Sequence, residues 1–431
     1  MKFVIKGGRK LNGEISLSGA KNAATKMMVA SLLTEEACSL ENFPEIGDGH
    51  ITAELCRSVG SKVDIQSGRL DIHTPEIKTF RVTSLTRRNR IPILALGPLL
   101  ARVGKAEVPI LGGDKIGPRP VDIHLDALRV MGAAIKINQN SYAAEAKNGL
   151  HGAKIALRFP SVGATENTIL AAVLAKGRTI IQNAATEPEI TDLIKMLQKM
   201  GAIISLGTNR TIYIDGVDKL RGARHRILPD RNEAVSFACL AVATGGRILV
   251  KGARQDDLIT FLNMLRRVGG EYDVLDDGIA FYRRDNLRGV EVETDTHPGF
   301  MTDWQQPFTI LLTQAKGNSI IHETIYEDRF GYTKDLNLMG ADITVFTKCL
   351  GELSCRFSGE NYQHSALING PTPLKAANLE VRDLRSGIAH IIAALIAEGE
   401  SVISGVEEID RGYERIDERL GQLGADIKRV H

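Results

Sequence analysis

The sequence predicts an α/β chain of six strand–helix–strand–helix–strand copies, gathered into two lobes of three with helices buried beneath strands. Three observations carry that expectation. An apolar residue and a glycine close a helical stretch and lead into a short alternating strand at six places: Val59-Gly60, Met131-Gly132, Met200-Gly201, Val268-Gly269, Met339-Gly340 and Leu423-Gly424. Successive glycines stand 72, 69, 68, 71 and 84 residues apart. Upstream of each ending lies a second helical stretch rich in Ala, Leu and Ile and apolar nearly all round, as at 23–33, 165–174, 234–243 and 388–397.

Each element follows from its residues. A glycine just past the last apolar helical position can take the left-handed conformation that ends a helix. Period-two alternation after it, as in Lys62-Val63-Asp64-Ile65 or Ala134-Ile135-Lys136-Ile137, reads as strand. A helix without a polar face must be buried. A short strand and a loop join the two helices of each copy. A stacked solenoid is the alternative for a repeated chain, but a period near 70 exceeds the roughly 20–50 residues of such arrays. The last interval is the outlier. Its excess falls at 346–378, a polar stretch with Cys349, Cys355, Pro371 and Pro373, expected to be a surface insertion in the form of a long loop or a hairpin. The lobe boundary is expected near 221–229. That gives one lobe of 20–228 and another of 1–19 plus 229–431, closed by the segments 3–5 and 15–17.

Composition narrows the function. Of 431 residues, 43% are hydrophobic, and Lys+Arg 54 against Asp+Glu 52 leaves a net charge of +2. Such a balance argues against a nucleic-acid binder working through a whole-protein basic field, so any anion site must be local. The longest mostly apolar stretch, 91–101, is far short of the ~20 residues a membrane helix needs. The first residues, Met1-Lys2-Phe3-Val4-Ile5-Lys6, lack the apolar core of a secretory signal. Five cysteines, none in a CxxC pair, form no disulfide framework. A cytoplasmic protein is the expectation, with no nucleic-acid or membrane partner.

Four segments carry candidate chemistry. Loop 111–118, with Gly112, Gly113 and Gly117 around Asp114 and Lys115 and with Arg119 following, has the composition of a mobile loop closing on an anion, and equally that of a glycine-rich turn. Lys21 stands where a buried helix begins, beside free N–H groups, either as an anion-binding cation or as a solvated cap lysine. Ser161-Val162-Gly163 occupies the equivalent place in the third copy and offers N–H groups and a hydroxyl suited to a pyrophosphate or a sugar hydroxyl. Asp303 opens the buried helix of the fifth copy, as an N-cap or as a general base for a hydroxyl. Asp383-Leu384-Arg385 and Asp410-Arg411 each set an Arg beside an Asp, which suits mutual salt bridging. The ten histidines show no HxxxH or HxH pair, so no metal is expected.

Read together, these residues resemble the enolpyruvyl transferases, and within them the UDP-N-acetylglucosamine 1-carboxyvinyltransferase branch. The resemblance spans essentially the whole chain. It rests on Gly19-Ala20-Lys21-Asn22-Ala23-Ala24, Ala95-Leu96-Gly97-Pro98-Leu99, Arg119-Pro120-Val121-Asp122-Ile123-His124 and Phe159-Pro160-Ser161-Val162-Gly163-Ala164-Thr165-Glu166-Asn167. Downstream it adds Pro229-Asp230-Arg231, Asp303, Asp383-Leu384-Arg385 and Ile409-Asp410-Arg411-Gly412-Tyr413-Glu414-Arg415-Ile416. It implies a two-lobed inside-out α/β barrel with three repeats per lobe. The implied substrates are phosphoenolpyruvate and UDP-N-acetylglucosamine, and the implied pathway is peptidoglycan synthesis, on which the cell wall, cell shape and cell division depend. No cofactor is implied.

By the same resemblance, Lys21, Asn22, Arg119, Arg385 and Arg411 would grip phosphoenolpyruvate. Asn22, Arg90, Arg119, Pro120, Val121, Asp122, Ile123, Ser161, Val162, Gly163, Asp303 and Ile325 would hold the UDP-sugar, with Glu187, Arg329 and Asp383 lining the cleft. Asp303 would act as base, and Asp114, Lys21, Arg119 and Arg411 would complete the catalytic set. Sugar binding would close the lobes and bring down loop 111–118 as a lid. The chain departs from the family pattern at Asp114, where a cysteine is usual. A thiol is alkylated by the epoxide antibiotic fosfomycin and a carboxylate is a far poorer nucleophile, so activity with fosfomycin resistance is expected. As a general acid, Asp114 would need its pKa raised from about 3.9. Transfer to a different acceptor, and a non-catalytic UDP-sugar-binding paralogue, are the alternatives.

Overall fold

The computed structural model describes residues 1–82, 85–87, 89–112, 117–118, 120–352 and 355–430. The described chain divides into two compact units, residues 19–112 with 120–228, and residues 1–18 with 117–118 and 229–430. Among the described residues there are five four-stranded sheets and one three-stranded sheet.

One plan governs the four-stranded sheets. Each has one parallel strand pair, joined through a buried helix in the third, fifth and sixth copies, and in all but the sixth an antiparallel hairpin completes the sheet. In the third copy Lys154–Ala156 pairs parallel with Arg178–Gln182, which pairs antiparallel with Ile212–Asp215, whose outer neighbour is Ile203–Leu206. The first five copies therefore end in a hairpin, where the sequence suggested a single strand, and the sixth ends in one strand paired with Lys2–Lys6. The return strand is short and follows a tight turn, so its alternation merges with that of the strand before it.

Three sheets borrow strands from far along the chain. The first copy takes Arg224–Arg226 as the parallel neighbour of Cys38–Phe43. The fourth takes Asn12–Ser16 beside Arg247–Lys251. In the sixth, Lys2–Lys6 lies between Glu400–Ser404 and Asp426–Val430.

The helices that link the parallel strands form the cores. In residues 229–430, the helices Arg231–Thr244, Gln305–Thr313 and Leu384–Ile396 pack on one another. Ala238, Ala241, Ala389 and Ala393 are fully buried there, and small side chains of this kind let helices approach closely. In the other unit Leu96–Val103 packs on Val162–Ala172, and Lys21–Ala30 packs on the helices Gly47–Ser58 and Pro188–Lys199. Outer helices are one-sided: Ile259–Val268 buries Phe261, Leu262, Leu265 and Val268, a helical stripe. The six repeat glycines all have positive φ, from +94° at Gly424 to +118° at Gly60, so a side chain there would strain the turn between helix and strand. Buried helices begin earlier than their apolar runs because Ser161, Asp230 and Asp383 cap them with side-chain oxygens.

The long interval is also different from its expected form. Strand Ser365–Gly370 belongs to the regular sheet, pairing with Gly317–His322 and Asp342–Phe346. The added segment is thus the hairpin connection 347–364. It is no simple polar surface loop, since Cys355, Phe357 and His364 are buried. None of the described helices is long and apolar enough to cross a membrane.

Candidate active site

Asp303 sits in the 3₁₀ turn Thr302–Trp304 that leads into the buried helix Gln305–Thr313. Its neighbours fix it. Trp304 is 1% exposed, stands edge-on to Phe261 and Phe300, and donates its indole N–H to Asn232 Oδ1 at 3.0 Å. Thr302 donates its hydroxyl to Glu323 at 2.9 Å. The Asp303 carboxylate is clasped by two arginines, with Arg329 Nη2 2.6 Å from one oxygen and Arg385 Nη2 3.1 Å from the other. Asp303 is therefore not a helix cap. The arginine side chains are only 2% and 6% exposed. Burial works against both guanidinium charges, yet Asp303 holds each above the ordinary arginine range. The two guanidiniums are fixed donors that direct the lone pairs of the carboxylate.

The two Asp–Arg pairs of the sequence do not bridge to each other. Asp383 caps the helix Leu384–Ile396, accepting from the backbone N–H groups of Arg385 and Ser386 at 3.0 and 3.1 Å. That frees the Arg385 guanidinium for Asp303, and it also donates to Tyr413 Oη at 3.2 Å. Asp410 instead receives Arg429 at 2.7 Å, while Arg411, 5% exposed, pairs with Glu408 at 3.0 Å. Ile325 donates its N–H to Glu323 at 2.8 Å.

In the other unit, Lys21 opens the helix Lys21–Ala30 and pairs with Asp48 at 2.9 Å. It is mostly buried, so it is not a solvated cap lysine. Asn22 lies half-buried in the same first turn. Arg90 directly precedes the 3₁₀ turn Ile91–Ala95. Pro120 and Val121 lead into the helix Asp122–Val130. Asp122 pairs with Arg158 and accepts the Ile123 N–H. Burial opposes its charge, but these donors hold its carboxyl below the usual range. Ser161 caps the helix Val162–Ala172, its hydroxyl accepting from Ala164 N at 3.3 Å. Gly163 is a close approach, because a Cβ there would lie 2.9 Å from His124 Cε1. Glu187 directly precedes the helix Pro188–Lys199 and is buried. Asp114 and Arg119, with half of the expected lid, lie outside the described residues. A groove of about 460 Å³ lined by Phe80, Lys105, Ile135 and Glu145 contains none of the candidate residues.

The family described as EPSP synthase (3-phosphoshikimate 1-carboxyvinyltransferase) matches residues 5–420. The UDP-N-acetylglucosamine 1-carboxyvinyltransferase of Protochlamydia amoebophila is 49% identical over 435 residues, covering 99% of this chain and 94% of that protein. The same enzyme of Chlamydia trachomatis serovar D is 50% identical over 423 residues, covering 97% and 95%. The chain belongs to the UDP-N-acetylglucosamine 1-carboxyvinyltransferase family. Its fold is that of the enolpyruvyl transferases. The solved enolpyruvyl transferase NikO from Streptomyces tendae matches with a TM-score of 0.87 at 23% identity, covering 99% of this chain and 98% of that one. EPSP synthase from Acinetobacter baumannii matches with a TM-score of 0.74 at 19% identity over 99% and 100%.

For a member of this family, the structure adds groups that sequence reasoning did not single out. Asp48 is the partner that orients Lys21. His124 is held neutral, pushed down to about 3 by burial and the nearby Arg90 cation. Glu166 is buried in the helix Val162–Ala172 and pushed up to about 7, chiefly by burial, against the pull of Lys26. Tyr413 links Arg385 to Ser236, 3.0 Å away. Only His124, Glu166 and Tyr413 lay inside motifs quoted above, and nothing local in the sequence marks their partners.

Proposed function

We propose that the chain transfers the enolpyruvyl group of phosphoenolpyruvate to the 3-hydroxyl of UDP-N-acetylglucosamine, releasing phosphate and committing the sugar nucleotide to peptidoglycan. Identity near 50% over almost the whole length to enzymes of that name supports the reading. Within the chain, the clasped Asp303 carboxylate carries it. Asp303 accepts the proton of the 3-hydroxyl as that oxygen bonds to C2 of phosphoenolpyruvate. Asp114 delivers a proton to C3, giving a tetrahedral intermediate. Loss of a C3 proton and of phosphate from that intermediate restores the double bond on the sugar.

Lys21, Arg119 and Arg411 take the phosphate and carboxylate of phosphoenolpyruvate, with Asn22 and Arg385 beside them. Arg forks suit both anions. Ser161, Val162 and Gly163 offer the N-terminus of the helix Val162–Ala172 to the pyrophosphate. Arg90, Pro120, Val121, Asp122, Ile123 and Ile325 complete the sugar-nucleotide contacts, and Arg329, Asp383 and Glu187 support them. Loop 111–118 acts as a lid that excludes water. On this reading the enzyme works in the cytoplasm, and its product lies upstream of wall growth and division. With Asp114 in the usual cysteine position, fosfomycin finds no thiol to alkylate.

The test is phosphate release from phosphoenolpyruvate with UDP-N-acetylglucosamine, repeated with Asp114→Asn and Asp114→Cys. Turnover that is lost in Asp114→Asn and kept in Asp114→Cys is the expected pattern. Full turnover in Asp114→Asn would remove Asp114 from the acid role.

A further inference from the structure

The connection 347–364 brings four metal-ligating side chains to one point. Strand Gly317–His322 ends at His322, strand Asp342–Phe346 runs on to Cys349, and the loop passes Cys355 before His364 enters strand Ser365–Gly370. One nitrogen from each histidine and one sulfur from each cysteine all lie within 4.8 Å of one another. His322, Cys355 and His364 are buried and Cys349 is half-buried.

Both imidazoles are oriented from outside. His322 Nδ1 is 3.2 Å from the Glu293 carboxylate, and His364 Nδ1 is 2.7 Å from the Tyr362 carbonyl. Those acceptors place the proton on Nδ1 in each ring and turn a lone pair on Nε2 inward, the arrangement of metal-bound histidines. His364 Nε2 lies 3.3 Å from Cys349 Sγ. His322 is fully buried, and its Nε2 has no hydrogen-bond partner among the described residues. A buried polar atom left unmade costs about 1–3 kcal/mol. Phe357 donates its N–H to Cys355 Sγ at 3.4 Å. Glu293 also accepts the Glu352 N–H at 2.8 Å, and a side chain at Gly351 would collide with both His322 and Glu293. The loop is therefore shaped around this point.

We propose that His322, Cys349, Cys355 and His364 bind one Zn²⁺ tetrahedrally as a structural staple for the hairpin. Two thiolates and two imidazoles are the donor set that selects zinc. Zn–S of about 2.3 Å and Zn–N of about 2.0–2.1 Å give tetrahedron edges of about 3.3–3.8 Å, so only a small contraction of the cluster seats the ion. Four protein ligands leave no open position, which makes the site structural, not catalytic. Binding displaces the two thiol protons to solvent. The staple also reaches the substrate side. Arg356, next to Cys355, donates to the Ile325 carbonyl and to Glu327, so the ion steadies the segment that carries Ile325 and Arg329. Scanning the sequence for paired histidines set metal aside because these ligands come from separate strands and a loop.

The experiment is metal analysis of the purified full-length chain after dialysis against metal-free buffer, on the parent, Cys349→Ser, His364→Asn and the control Cys239→Ser. One equivalent of zinc in the parent and control, with loss in both ligand variants, is expected. Cobalt loaded into the parent should give the intense visible bands of a tetrahedral two-thiolate site, and those bands should be absent in Cys349→Ser. Two results would overturn the site. One is a parent free of metal that takes up no cobalt and carries a Cys349–Cys355 disulfide. The other is zinc retained in full by both ligand variants.

Discussion

Replacing Asp303 with asparagine removes one negative charge from between two buried guanidiniums while keeping the shape of the side chain. The structure sets the size of the effect. Arg329 and Arg385 approach the carboxylate to 2.6 and 3.1 Å. Unit charges about 4 Å apart attract by roughly 4 kcal/mol at an effective dielectric near 20, and desolvation cancels much of that. Removing one partner of a buried ion pair costs about 3–5 kcal/mol. Asp303 is 18% exposed and Arg385 keeps Tyr413, so the lower end, about 3 kcal/mol, is expected for Asp303→Asn in urea unfolding. Its effect on turnover is separate. Loss of a general base lowers kcat by about 100- to 10,000-fold, measured as phosphate release at saturating substrates on protein shown to be folded. Arg329→Lys is the control: it keeps the charge, loses the fork, and should lose stability while retaining more turnover than Asp303→Asn. A folded Asp303→Asn protein with undiminished kcat would refute the assignment of Asp303 as base.

Three other outcomes are expected. Gly163→Ala places a Cβ 2.9 Å from His124 Cε1. The overpacking costs about 1–3 kcal/mol and should raise KM for UDP-N-acetylglucosamine about tenfold with little change in kcat, as steady-state kinetics will report. His124 is pushed down to about 3 from an ordinary 6.5, so its stabilising contribution is complete above the unfolded value and is lost as pH falls. The loss is about 1.4 kcal/mol per pH unit below about pH 6.5. Urea midpoints across that range should fall less steeply in His124→Gln, and an unchanged slope would exclude the neutral buried histidine. Asp114→Cys should convert a fosfomycin-resistant protein into one inactivated irreversibly, with inhibitor mass added to the chain. Rapid irreversible loss in the parent would contradict the resistance reading.

What the sequence made legible was periodic or local. Apolar helices without a polar face could only be buried, and the six repeat glycines at positive φ mark where helix yields to strand. What it hid was long-range. The sequence assigned residues 3–5 to the second lobe but not their partners: Lys2–Lys6 lies between the two strands of the last copy, a register that no alternation within five residues reveals. Asp383 and Arg385 read as a pair because they are close in sequence. In the fold the carboxylate caps a helix and the guanidinium crosses to Asp303. The Lys21–Asp48 pair and the His322–Cys349–Cys355–His364 cluster were invisible for the same reason. Their partners are set by topology, and residue type alone does not choose among the many carboxylates and histidines available.

The most direct test of the enolpyruvyl-transfer account is a competition. The chain is given limiting phosphoenolpyruvate with equal UDP-N-acetylglucosamine and shikimate-3-phosphate, and the products are identified by mass spectrometry. The account predicts the enolpyruvyl group on the UDP-sugar alone, with one phosphate released for each group transferred. Enolpyruvyl shikimate-3-phosphate as the product, or bound UDP-sugar with no phosphate released, would contradict it.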